Sequence, residues 1–135
     1  MKVILISFLF ASFIFLIVDI LWLLFTVKSF YRPNLGSLLT DKPVMWASIL
    51  FYLVYMIGLT ILVLQPALDH RSVFKTFWLG IVFGVVAYGT YNLTNMATIK
   101  NWSSSIIWID MIWGGLLTGF SSAVGIYLTK VFFTN

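Results

Sequence analysis

Cysteine and glutamate are absent from this chain, histidine occurs once, and its four acidic residues, all aspartate, face eight lysines and arginines. Without cysteine there are no disulfides, thiol nucleophiles or thiolate metal sites, although the redox compartment stays open. His70 stands in the connector Asp69-His70-Arg71, where a solvated loop residue is the better reading than a metal ligand, so neither metal nor cofactor is expected. No glycine-rich phosphate loop follows a strand pattern, and no groove of interleaved basic and aromatic residues is visible. The net charge of +4 therefore suits anionic headgroups around helix ends and argues against nucleic acid.

What remains is apolar: 61% of the 135 residues are hydrophobic and 9% charged, the composition of a membrane protein. A helix needs about 20 apolar residues to cross a hydrocarbon core of about 30 Å. Four segments qualify, at 3–27, 44–64, 77–96 and 106–129. The first follows Lys2, as a secretion signal would, but it is too long and lacks a small-residue cleavage site, so it is expected to persist as a span. An all-α integral membrane four-helix bundle, a single domain over 1–135, is the predicted fold.

The connectors are too short to fold alone. In Lys28 to Pro43, Phe30-Tyr31-Arg32 and Leu35, Leu38 and Leu39 suit the headgroup level, and Pro33 and Pro43 should stop helix propagation. The second connector runs from Gln65 to Thr76. The third, Ala97 to Ser105, is tightest and should make spans three and four antiparallel neighbours. Four spans place Lys2, Arg71, Lys75 and Lys130 on one side and Lys28, Arg32, Lys42 and Lys100 on the other. Weighting the first span puts connectors one and three in the cytoplasm. The tie in charge also permits insertion both ways, and with it an antiparallel homodimer.

Two carboxyls interrupt the apolar runs, Asp19 in the first span and Asp110 in the fourth. Each costs about 2.5–3.5 kcal/mol at a bilayer centre, so each should face protein or water and mark a working site. Antiparallel threading brings Asp19, Tyr52, Asn92, Asn95 and Asp110 to one depth, toward the face of connectors one and three. The rows Gly80, Gly84, Tyr88, Asn92 and Asp110, Gly114, Thr118, Ser121, Gly125 each lie along one side of a helix. Ser12, Asp19 and Thr26, with Trp22, form the stripe of the first span, and Ser48, Tyr52 and Tyr55 that of the second. Together they predict a polar, aromatic-walled cavity opening toward one face.

A plainer reading treats the same residues as glue. Gly80-x-x-x-Gly84 and Gly115-x-x-x-Gly119 are packing motifs, the asparagines suit interhelical hydrogen bonds, and Asp110 could serve the dipole at the start of its helix. Trp46, Trp78, Trp102 and Trp108 fall near span ends and read as interfacial anchors. Asn92-Leu93-Thr94 and Asn101-Trp102-Ser103 match the glycosylation pattern by coincidence of depth.

Several motifs are shared with a known family. They are Asp19-x-x-Trp22, Phe30-Tyr31-Arg32 with Leu35-Gly36, Phe51-Tyr52 with Tyr55 and Gly58, and Pro66-Ala67-Leu68. To these add Ala87-Tyr88-Gly89-Thr90-Tyr91-Asn92-Leu93-Thr94-Asn95, Ala97-Thr98, Trp102 and Asp110-x-x-Trp113-Gly114. Over nearly its whole length the chain resembles domain of unknown function 2177. The resemblance implies a small four-span bacterial membrane protein, hence the inner membrane, and brings no established activity. It also implies aspartate at the position of Asn92, a departure that weakens any proton relay centred on the third span.

Three functions compete. In the first, a ligand-binding protein or transporter, Asp19 binds a small cationic or amphiphilic ligand, or a proton in exchange, with Asp110 as partner or second proton site. Asn92 and Asn95 orient the ligand, and Trp22, Tyr52, Tyr88, Tyr91 and Trp113 wall the cavity. Small multidrug transporters share this architecture, though not the sequence. In the second, Asp19 and Asp110 form an acid–base pair in an enzyme, or enzyme subunit, acting on a lipid-like substrate. No nucleophile, metal set or cofactor motif accompanies them, which favours a protein that is not an enzyme. In the third, the stripes pack against another membrane protein. Membrane lipids surround the chain in all three.

Overall fold

The structure, a computed structural model, describes residues 1–133. Among these the ordered elements are all helical and form four long apolar rods, α1 (Lys2–Leu38), α2 (Met45–His70), α3 (Val73–Thr98) and α4 (Ser104–Phe133). Each is long enough to cross a bilayer. Their outward surfaces carry exposed Leu, Ile, Val and Phe side chains, including Leu24, Phe25, Leu62 and Val86, as lipid-facing helices require.

All four helices outrun the predicted spans, and in α1 and α2 the prolines explain how. Pro33 does not stop the first helix. Residues Val27–Tyr31 widen into a π-turn, and the Arg32 N–H reaches the Val27 carbonyl five residues back; Pro33 then stands in the first turn of a new α-segment, Arg32–Leu35. The same device recurs in α2, where the π-turn Thr60–Leu64 precedes Gln65-Pro66 and the Gln65 N–H bonds the Thr60 carbonyl. A proline ring strikes the carbonyl four residues earlier and offers no N–H, and a widened turn just upstream relieves both problems. Much of the expected headgroup-level connector is therefore a continuation of α1. Pro43 does coincide with a break, ahead of Met45.

Glycine sets which helices approach most closely. α3 and α4 are antiparallel and pack along the two rows read from the sequence. A Cβ on Gly80 would lie 2.8 Å from Gly119 Cα, and one on Gly84 would overlap the Gly114 carbonyl. α1 packs on α4, where a Cβ on Gly125 would stand 2.8 Å from that of Ala11. The buried row of α1 is Ser7, Ala11, Phe15, Asp19, spaced every four residues. It replaces the expected sevenfold row Ser12, Asp19, Thr26, because the i±4 ridge fits a glycine-lined groove; Thr26 instead bonds the Trp22 carbonyl of its own helix at 2.7 Å.

α2 is different. It meets the other helices chiefly around its π-turn, through buried Leu59, Val63, Leu64 and Ala67, while residues 45–54 stand off. Long side chains bridge that gap: Tyr55, on Phe15 at a ring separation of 5.1 Å, and Tyr52.

This packing makes a paired prediction. Gly84→Ala should lower unfolding stability in detergent by about 1–3 kcal/mol, because backbone of α4 must give way. Gly58→Ala, whose Cβ would touch only Phe83 Cζ at 3.4 Å, should change it by less than about 1 kcal/mol. Thermal unfolding followed by circular dichroism, with both variants in parallel, checks the contrast.

Candidate functional site

A cavity of about 580 Å³ lies between the splayed half of α2 and the other three helices. Its lining includes Asp19, Trp22 and Tyr31 from α1, Tyr52 and Tyr55 from α2, Tyr88 and Tyr91 from α3, and Asp110 and Trp113 from α4. The lining contains no lysine, arginine or histidine. Seven of the nine site residues expected from the sequence therefore share one cavity, and the remaining two, Asn92 and Asn95, do not line it.

Asp19 is 5% exposed. Tyr52 donates its hydroxyl to Oδ2 at 2.6 Å and Trp113 donates Nε1–H to Oδ1 at 3.2 Å. Asp110, 1% exposed, is more fully engaged. Tyr31 donates to its Oδ1 at 2.5 Å, Tyr91 to its Oδ2, and Asn92 Nδ2–H to the same oxygen at 3.2 Å. A carboxylate offers about four lone-pair positions, so Asp110 is close to saturated while Asp19 keeps capacity. Every donor is neutral, which leaves the charge of an ionised carboxylate uncompensated inside the cavity.

An aromatic pair links the two acids. The Trp22 and Trp113 rings stack at 4.1 Å with an interplanar angle of 11°; Trp113 bonds Asp19, and Trp22 donates Nε1–H to the Tyr31 hydroxyl at 3.1 Å, which in turn donates to Asp110. Deeper in, the Tyr55 and Thr118 hydroxyls meet at 2.6 Å.

Asn92 is wholly buried behind Asp110. It donates also to the Tyr88 carbonyl at 3.1 Å and accepts from Trp102 Nε1–H at 3.3 Å. Asn95 sits further along α3, where its carbonyl accepts the Ile99 N–H at 2.8 Å. Trp102 is thus tied inward, unlike Trp46, Trp78 and Trp108, which are more than half exposed.

Tyr31 is the residue that sequence reasoning missed. Placing Phe30-Tyr31-Arg32 at the headgroup level assumed that the helix had ended, whereas the π-turn carries it on and aims Tyr31 at Asp110. Leu39 lines the cavity from the same connector, and Ser103 Oγ–H bonds Asn34 Oδ1 at 2.9 Å, fastening the connector to the start of α4. The dipole reading of Asp110 also falls: α4 begins at Ser104 with no acidic residue in its first turn, and dipole effects fade beyond that turn.

Among the described residues no three His, Asp or Glu side chains gather as metal ligands would. Removing Asp110 should unfold the site. Asp110→Ala leaves the Tyr31, Tyr91 and Asn92 donors unpaired, and a loss of at least about 3 kcal/mol is expected against roughly 1 kcal/mol for Tyr31→Phe. Chemical unfolding of both variants in detergent checks the order.

Comparison with curated proteins gives no match, and neither does comparison with solved structures. A family profile does match, over residues 4–127. The chain belongs to the family it describes, the predicted membrane proteins of DUF2177.

Proposed function

We propose that this membrane protein binds the positively charged group of a ligand at Asp19, as a carrier or transporter of organic cations. The observation that carries the reading is the pairing of two buried carboxylates with neutral donors alone in one cavity walled by aromatic rings. A cation supplies the charge that the lining lacks. The faces of Trp22, Trp113 and the tyrosines add cation–π attraction of about 0.5–2 kcal/mol.

The two acids divide the work. Asp110, held by three donors from α1 and α3, acts as the fastener of the cavity. Asp19, with one donor on each oxygen, is the binding group. Tyr52 and Trp113 fix its orientation, and the stacked indoles beside it form the wall against which a substituted ammonium would rest. Asn92 positions Asp110 and has no direct part in binding; Asn95 is too far along α3 to orient a ligand in the cavity.

The test uses the full chain in phosphatidylglycerol nanodiscs, with radiolabelled tetramethylammonium and decyltrimethylammonium as probes. At least one should bind saturably, and Asp19→Asn should weaken that binding tenfold or more, equivalent to about 1.4 kcal/mol. Binding that is indifferent to Asp19→Asn, or absent for both probes, overturns the proposal.

A further inference from the structure

The end of the cavity toward connector one is covered. Tyr31 and Leu39 lie over it, and two ties hold that cover: Tyr31 to Asp110, and Asn34 to Ser103 at the start of α4. Phe15, which is 0% exposed, packs edge-on to the lining residue Tyr52 at 6.3 Å. The exposed part of the lining is at the side.

Three lining residues are substantially exposed: Leu23 at 37%, Phe51 at 44% and Tyr91 at 42%. They come from α1, α2 and α3, and Phe51 lies on the half of α2 that stands away from the bundle. Phe51 is in the second turn of α2 and Leu23 is more than a dozen residues before the end of α1, which puts both inside the apolar stretch of their helices. Neighbouring exposed residues, Leu24, Leu53 and Val54, are all lipid-type surface. A ligand entering between Leu23 and Phe51 comes from hydrocarbon and not from water.

We infer that the ligand is an amphiphile, a single cationic headgroup on an alkyl chain. It reaches Asp19 sideways from the bilayer and leaves its tail between α1 and α2. This rests on the cation-binding reading above and narrows it. The charge requirement comes from Asp19 and the absence of a basic lining residue. The tail requirement comes from the side opening and from Val27, Leu23, Leu39 and Phe51, which supply apolar lining. A cavity of about 580 Å³ accommodates a headgroup and the first part of a chain, while the rest stays in lipid. The splayed half of α2 is then the wall that yields, held across the gap by the hydrogen bonds of Tyr52 and Tyr55 rather than by backbone packing.

The two probes of the nanodisc assay separate this inference from its foundation, because they share a trimethylammonium group and differ in the chain. Decyltrimethylammonium should bind with one site per protein and tetramethylammonium at least a hundredfold more weakly. Decanol, the chain without the charge, should not compete. Leu23→Trp, at the side opening and at a residue whose side chain makes none of the cavity's hydrogen bonds, should reduce long-chain binding severalfold with helicity and thermal midpoint unchanged. Equal affinity for the two cations, or full binding of the long one by Leu23→Trp, overturns the lateral amphiphile and leaves cation binding standing. Failure of both cations to bind wild type removes both.

Discussion

In hydrocarbon a polar group has no water to fall back on, and the arrangement of this protein follows from how nearly all such groups find a partner. Hydroxyls solve the problem within their own helix. Thr26, Thr60, Thr76, Thr90, Thr118, Ser121 and Thr129 all donate to the carbonyl four residues back. A carboxylate cannot do this, because it only accepts and the helical N–H groups are already committed. Asp19 and Asp110 must draw donors from elsewhere. They take them from every span: Tyr31 on α1, Tyr52 on α2, Tyr91 and Asn92 on α3, Trp113 on α4. The two acids thus specify where four otherwise greasy helices meet. Among the described residues, the buried polar atoms with no protein partner are Ser12 Oγ, Ser122 Oγ and His70 Nε2, and none belongs to the cavity.

The same constraint explains why there is a cavity at all. Without a hydrophobic force between helices in lipid, close approach depends on small residues. α3 and α4 have them at Gly80, Gly84, Gly114 and Gly119, and α1 meets α4 through Ala11 and Gly125. α2 presents Tyr52, Tyr55 and Phe51 instead, with Gly58 facing only the Phe83 ring. Tyrosines long enough to reach Asp19 and Thr118 necessarily hold the backbone of α2 away. The donors that satisfy the buried groups are therefore also the spacers that create the space around Asp19.

Much of this was legible in the sequence, and the losses are instructive. Hydropathy located all four spans, the tight third connector made spans three and four neighbours, and the glycine rows read as packing stripes lie at that interface. A shared depth for Asp19, Tyr52, Asn92, Asn95 and Asp110 was expected from antiparallel threading alone, and Asp19, Tyr52 and Asp110 do line one cavity. Helix ends did not follow. A proline reads as a stop, and nothing in Val27 to Tyr31 or Thr60 to Leu64 announces a π-turn that carries the helix past it. That single error hid Tyr31: nine residues from Trp22, it would lie on the far side of a regular α-helix, and the wider turn at Val27–Tyr31 brings it round to their hydrogen bond. Asn95 failed for a related reason. Three residues beyond Asn92, it shares a helix face only loosely, and the axial rise carries it past the Asp110 carboxyl.

Asn92 shows how narrowly the acid network is balanced. The resemblance places aspartate at this position, yet here the side chain must donate to Asp110 and to the Tyr88 carbonyl while accepting from Trp102. An amide has both polarities and does all three. An ionised aspartate would satisfy Trp102 but set one acceptor against another at Asp110, and two carboxylates in contact cannot both stay charged. They would have to share a proton. A chain with aspartate there would carry a proton-holding pair behind its cavity, whereas this chain replaces the pair with a fixed neutral donor. Asp110 is then held by three neutral donors, and Asp19, with one donor on each oxygen, is the acid that keeps open acceptor positions toward the cavity.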